Sequence, residues 1–311
     1  MNTIPSPSSS SPDHRSEPHR GRALILGGGG SAGNAWLIGV IAGLADAGLD
    51  TATADLIVGT SAGATAAAQI TGAPPARLFD DIDAGARIRR GPAGSGVAPH
   101  GAAGVVASHM ERTQRIIDAS SDAADMRRRM GAAAIELAGS SEGAASRWRE
   151  TVAARLPQRE WPEQRILLTA VDASTGEPVV FDRHSGVDLV DAVAASCASG
   201  FAYPIGASAY IDGGYRSNAE NADLAVGHAK VLVLAPFGGA SRTPVTWGTH
   251  LSDQIDELRS DGSTVETVFP DDESVAAFGD NVMDPTSRVP AARAGFAQGR
   301  ATAASLEAFW G

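Results

Sequence analysis

Cysteine is nearly absent: Cys197 stands alone among 311 residues. A lone thiol excludes an intrachain disulfide and leaves no thiolate cluster for structural zinc or an iron–sulfur centre. Cys197 itself is expected to be a buried small apolar residue. Positive charge is also scarce. Lys+Arg 25 against Asp+Glu 36 leaves a formal net charge of -11, which repels a polyanion on average and argues against nucleic acid as a partner. The same balance disfavours firm attachment to anionic lipid and leaves only transient contact with a membrane surface. No run approaches the ~18 uninterrupted apolar residues of a membrane-spanning helix. The opening "MNTIPSPSSSSPDHRSEPHRGR" lacks the apolar core of a secretory signal. Its proline, serine and charge predict a disordered leader over 1–21. A cytoplasmic location is expected from these absences.

Glycine, by contrast, is abundant at 36 residues, and alanine is plentiful, so helices should be small-faced and closely packed. "RALILGGGG" reads as a buried strand over Ala23–Leu26 and a tight turn over Gly27–Gly30. A helix follows, with Leu37, Val40, Ile41 and Leu44 on one face and Gly48 as its stop. "ADLIVG" is a second buried strand, and Ala62–Ile70 a second helix. Strand, helix, strand, helix is the rhythm of a parallel sheet covered by helices. Gly85–Gly104 loosens into a glycine-rich loop able to gate access, and residues 104–156 read as mainly helical. The arginine runs at 87–90 and 127–129 are expected to be solvated faces. Further on, Ile166–Val171 and "VVF" form strands around a turn, "DLVDAVAASCA" a helix, and "YPIGASAYIDGGY" a short strand running into glycines. "KVLVLAP" is another strand, and "LSDQIDEL" and the stretch from Pro290 to the C-terminus are late helices. The expected architecture is a single three-layer α/β/α domain over 22–311 with a mostly parallel central sheet and a helical elaboration at 85–160.

Two of the glycine-rich motifs carry chemistry only in context. "GGGGSAG", between strand and helix, exposes backbone N–H groups at a helix N-terminus, suited to a phosphate or an oxyanion. Gly28, Gly30 and Gly33 match the dinucleotide pattern G-x-G-x-x-G, but no acidic residue ends the second strand to hold a ribose. "GTSAG" sets Ser61 between Gly59 and Gly63 at a strand-to-helix corner, the setting of a nucleophile elbow; the competing role is a helix N-cap. A serine nucleophile needs a base, and none of the histidines stands in an evident catalytic loop; His184 and His250 read as surface or helix-end residues. Asp212 in "YIDGG" follows a short strand, with Gly213 and Gly214 leaving room for its carboxylate beside neighbouring backbone. A carboxylate base requires desolvation or a short hydrogen bond, because its unperturbed pKa is about 3.9.

In this order, the glycine loop, the G-x-S-x-G elbow and the downstream D-G-G resemble the patatin-like phospholipases. "AVAASCASGFAYPI" is similar to the family's apolar segment before the Asp strand, and "NVMDP" before a terminal helix is similar to bacterial members. The resemblance implies a Ser–Asp dyad hydrolysing acyl esters of lipids without a cofactor: Ser61 as nucleophile, Asp212 as proton acceptor, and Gly28, Gly29 and Gly30 as the oxyanion hole. It implies an acyl-ester or phospholipid substrate. One departure is Ala32, where many members carry arginine, which weakens the case for a phospholipid more than for an ester. The competing readings are a Ser-Asp-His hydrolase using His228 or His250, and a non-catalytic nucleotide- or anion-binding module.

Overall fold

The computed structural model describes residues 20–89, 102–138 and 143–311. Residues 1–19, most of the expected leader, lie outside them, as do 90–101, the middle of the expected loop. The chain begins with β1 (Arg22–Leu26), α1 (Gly30–Asp46), β2 (Leu56–Gly59), α2 (Ala62–Ile70) and α3 (Pro75–Arg89). Three helices follow, α4 (Ala102–Asp118), α5 (Ala123–Ala138) and α6 (Ala144–Ala153). The second half runs β3 (Ile166–Asp172), β4 (Pro178–Phe181), α7 (Leu189–Ser196), β5 (Tyr203–Ile205), β6 (Ser208–Asp212) and β7 (Lys230–Leu234). It closes with α8 (Leu251–Ser260), β8 (Thr264–Val268), α9 (Asp272–Phe278) and α10 (Arg288–Trp310).

The strands form one mixed sheet whose parallel body is β3-β2-β1-β7-β8. Alternation along the strands sorts their side chains to two covered faces. Leu24, Leu26, Ile57, Leu232 and Leu234 join the core beneath α1, α2 and α10. Ala23, Ile25, Val58, Val231 and Val233 join the core beneath α8. Helices on both faces of a mostly parallel sheet make the expected α/β layering. The close packing expected of small helices is strongest between α1 and α10. A Cβ on Gly39 or Gly43 would strike the carbonyls of Ala292 or Phe296, and one on Gly295 would lie 2.5 Å from the Trp36 carbonyl.

The antiparallel strands decide where the site forms. Leu168 pairs with Gly59 on one side and Phe181 on the other, so β2 and β4 flank opposite edges of β3. Ala170 and Val171 pair with β4 and also with Asp212 and Ile211, so β4 and β6 are opposite too. β2 and β6 therefore share an edge of β3, and β6 occupies it where β2 has ended. This brings Asp212, opposite Ala170, to the level at which the chain turns through Ser61.

Several expectations need correction. Gly85–Arg89 continues α3 and Ala102–Gly104 opens α4, so the expected loop is helical at both described ends. "YPIGASAYID" is a hairpin of two strands, because Gly206 at φ 60° supplies the left-handed turn that lets β5 return on β6. β8 and α9 were not expected: β8 is an edge strand that buries only Val265 and Val268 and leaves Glu266 exposed. Arg127 is no solvated cation. Its Nε donates to the Gly176 carbonyl (2.8 Å) and its guanidinium to the Arg216 carbonyl (3.1 Å), anchoring α5.

Candidate active site

The ends of β1 and β2 lie side by side, with Leu26 opposite Gly59. The glycine loop leaves the first and Ser61 the second, both at the carboxyl ends of parallel strands, where α/β sheets bind ligands. Close approach explains the elbow's glycines. A Cβ on Gly63 would overlap the Leu26 carbonyl, and one on Gly59 would lie 2.7 Å from Ala64 Cα. Between them Ser61 adopts φ 53°, ψ -113°, a left-sided conformation that a non-glycine residue occupies at a cost of about 1–3 kcal/mol. Surrounding contacts hold it there. The Ser61 N–H donates to Ser196 Oγ (2.9 Å), its carbonyl accepts from Thr65 N–H (3.1 Å), and Cys197 Sγ–H donates to the same carbonyl (3.0 Å). The Ser61 side chain makes no cap bond to α2, so the cap alternative does not account for the residue.

Asp212 closes β6 and is 7% exposed. Its N–H donates to the Ala198 carbonyl (3.1 Å), and its Oδ1 accepts from Gly214 N–H (2.8 Å). Burial pushes its carboxyl up to about 6, against the opposing pull of the Gly214 N–H and the Ser61 hydroxyl. Gly213 serves a different purpose from the one expected: a Cβ there would overlap Thr169, so it seats the turn on β3. Gly214 is the glycine beside the carboxylate, its Cβ position 3.2 Å from Asp212 Oδ1.

In the glycine loop, Gly28 N–H already donates to the Ala219 carbonyl (2.8 Å), whereas Gly29 and Gly30 N–H have no acceptor among the described residues. Gly29 is walled in: a Cβ would meet Pro236 at 2.6 Å and Gly33 Cα at 2.8 Å. Gly30 takes φ 62°, and Gly33 packs its α-carbon against Pro236. Gly28 has ordinary space, its nearest neighbours 3.7 Å from a Cβ.

No described histidine bonds to Ser61 or Asp212. His184 is exposed; His228 Nδ1 lies 3.0 Å from the Ala225 carbonyl; His250 sits at the N-terminus of α8 with Nε2 on the Thr243 carbonyl (2.8 Å). Among the described residues no cluster of His, Cys, Asp and Glu could hold a metal ion, and no helix is long and apolar enough to cross a membrane. Cys197 is half-buried, its thiol pushed up to about 12 chiefly by burial and then by Asp212.

Three supporting residues were missed in the sequence. Asn221, the other non-glycine residue with positive φ (55°), sends Nδ2 to Thr60 Oγ1 (3.0 Å), the Gly213 carbonyl (3.1 Å) and the Asn218 carbonyl (3.2 Å), tying the elbow strand to the D-G-G turn. Its signal was the asparagine-rich "SNAEN", since Asn tolerates the left-handed region. Ser196 was visible as a polar residue in an alanine-rich buried run. Glu220 is fully buried, beside Gly27, with neither carboxylate oxygen bonded. Burial pushes it up to about 7.

Comparison places these motifs. The family model described as patatin-like phospholipase matches residues 24–225, which span all three motifs. Among solved structures, VipD from Legionella pneumophila is similar with a TM-score of 0.41 at 14% identity, over 93% of this chain and 67% of VipD. The type III effector protein ExoU is similar with a TM-score of 0.34 at 14% identity; 93% of this chain covers only 54% of that one. None of the curated proteins matches the sequence significantly.

Proposed function

Because the chain belongs to the patatin-like phospholipase family, and so to a family of lipid acyl hydrolases, we propose that it cleaves acyl esters of lipids with Ser61 and Asp212 as its catalytic pair. The observation that carries this reading is the strained, braced Ser61 at the level of a buried carboxylate, with no described histidine bonded to either. Ser61 Oγ attacks the acyl carbonyl as its proton passes to Asp212. The tetrahedral oxyanion is held by the N–H groups of Gly29 and Gly30 at the start of α1, where the helix dipole adds to them. Gly28 joins only if its N–H leaves Ala219. The alcohol departs with the proton from Asp212, and Asp212 then deprotonates the water that releases the fatty acid. We read residues 22–311 as one unit acting from the aqueous side, in peripheral contact with a lipid surface. A fluorophosphonate should label the wild type at Ser61 and leave Ser61→Ala unlabelled; labelling that survives the substitution removes Ser61 from the mechanism.

A further inference from the structure

α4 carries His109 and Arg112 one turn apart, and Arg112 Nη2 lies 3.0 Å from His109 Nδ1. Arg242, in the segment after β7, reaches the same helix, donating to the Met110 carbonyl (3.2 Å) and Thr113 Oγ1 (2.8 Å). Both guanidiniums lie close enough to lower the pKa of His109, after burial as the larger cause. Arg149, Arg216, Arg293 and Arg300 each have a carboxylate partner. Arg112 and Arg242 have none among the described residues. Two guanidiniums without a carboxylate partner, beside a half-buried imidazole, make a cationic site suited to an anion.

The cluster adjoins the candidate catalytic pair. His109 Nε2 faces Ser199 Oγ (3.2 Å) and Tyr215 OH (3.4 Å). Ser199 ends the segment in which Ser196 takes the Ser61 N–H and Ala198 takes the Asp212 N–H. Tyr215 lies in the turn after Asp212 and is pushed up to about 12, first by burial and then by the Asp212 charge. Apolar side chains stand beside the cations: Met110 is 45% exposed, and Leu137, which lines the same hollow as His109 and Arg112, is 39% exposed. A phosphate carrying acyl chains gains from both parts of this surface, whereas inorganic phosphate gains from the cations alone.

We propose that Arg112, Arg242 and His109 form a subsite for the phosphodiester headgroup of a lipid whose acyl ester is presented to Ser61. The subsite refines the substrate class of the hydrolase and rests on that reading for the lipid's orientation. Calorimetry on Ser61→Ala protein, which leaves the lipid intact, should show binding of monomeric dihexanoylphosphatidylglycerol. Adding Arg242→Gln, an exposed position, should weaken it about tenfold, and Arg112→Gln with Arg242→Gln about a hundredfold, from the loss of charge-assisted hydrogen bonds. Affinity for uncharged dihexanoylglycerol should change far less, and the melting temperature confirms folding. Undiminished phosphatidylglycerol binding by the double variant overturns the subsite. Inorganic phosphate binding as tightly as the lipid overturns the lipid headgroup as the occupant. In protein with Ser61 intact, the double variant should lower turnover of dihexanoylphosphatidylglycerol relative to p-nitrophenyl butyrate about a hundredfold. If the wild type turns over neither ester, the hydrolase reading fails alone, because the calorimetry needs no turnover.

Discussion

α2 and α5 are both alanine-rich helices beside the site, yet they are held in opposite ways. α2 is buried at every residue, and α1 from Ala32 to Leu44 without a break. α5 buries only Met126, Met130, Gly131 and Ala134, a single stripe. Helices apolar all round belong inside a fold, and those with one apolar stripe lie on it. The difference separates two kinds of specification. Around Ser61 the backbone is fixed by contact, with no room for a Cβ at Gly29, Gly59 or Gly63. Over α4–α6 it is fixed by amphipathic docking, which tolerates changes on the outer face.

The largest effect should come from the pair itself. Ser61→Ala and Asp212→Asn should each lower ester turnover about 10⁴-fold or more while the protein stays folded. His184→Gln, His228→Gln and His250→Gln should keep most of the rate; loss in either of the last two with survival of Asp212→Asn would restore a histidine triad. Because Asp212 must be ionised to accept a proton and is pushed up to about 6, kcat/KM should fall as pH drops through about 6 and level off above it.

The glycine loop gives the next largest effect. Gly29→Ala should cost about 10²–10³ in kcat, since its Cβ would collide with Pro236 and displace the N–H groups facing the oxyanion. Gly28→Ala, with 3.7 Å of clearance, should cost far less. Equal losses would place the donors differently.

Stability tests the two modes of specification directly. Gly63→Ala drives a methyl into the Leu26 carbonyl at the junction of two buried elements, and urea denaturation should show a loss of about 3 kcal/mol or more. Gly131→Ala meets the Ala173 carbonyl in the same way, but α5 can shift outward, so the loss should be nearer 1 kcal/mol. Equal losses would mean that α5 is as rigidly seated as α2.

The polar interior supplies a test separate from both regions, read through pH. Glu220 has an ordinary carboxyl value of 4.5 in the unfolded chain and about 7 when buried. The folded state therefore keeps its proton to higher pH than the unfolded state does. Stability from this group is whole below about 4.5, declines as pH rises, and is fully lost above about 7, a difference of about 3 kcal/mol. Glu220→Gln should remove that slope from a series of urea titrations; an unchanged slope would assign it to Asp212, whose carboxyl is also raised.

Legibility in the sequence follows the same division. Ala62–Ile70 was readable to the residue, and α5 falls inside the stretch that reads as mainly helical. Ser61 and Asp212 were readable as types in motifs. Their meeting was not, because it depends on β2 and β6 sharing an edge of β3, and strand register over such separations has no local signal. α3 and β8 were missed because surface helices and edge strands are set more by what covers them than by their own composition. The anionic balance of the whole chain likewise concealed Arg112 and Arg242, a local excess of positive charge that only folding assembles.

The pairing of Ile57 with Ile166 closes a long excursion of the chain, from Thr71 to Arg165, between two neighbouring strands. The entropy of closing such a loop grows only as the logarithm of its length, about 0.6 kcal/mol per doubling. Equilibrium stability is thus nearly indifferent to how much chain is inserted there, while the rate of folding is not, since β3 cannot register until the excursion is complete. For protein engineering this makes α3–α6 an exchangeable cassette: another set of helices could be spliced between α2 and β3, altering what reaches Ser61 while leaving the corner that strains it untouched.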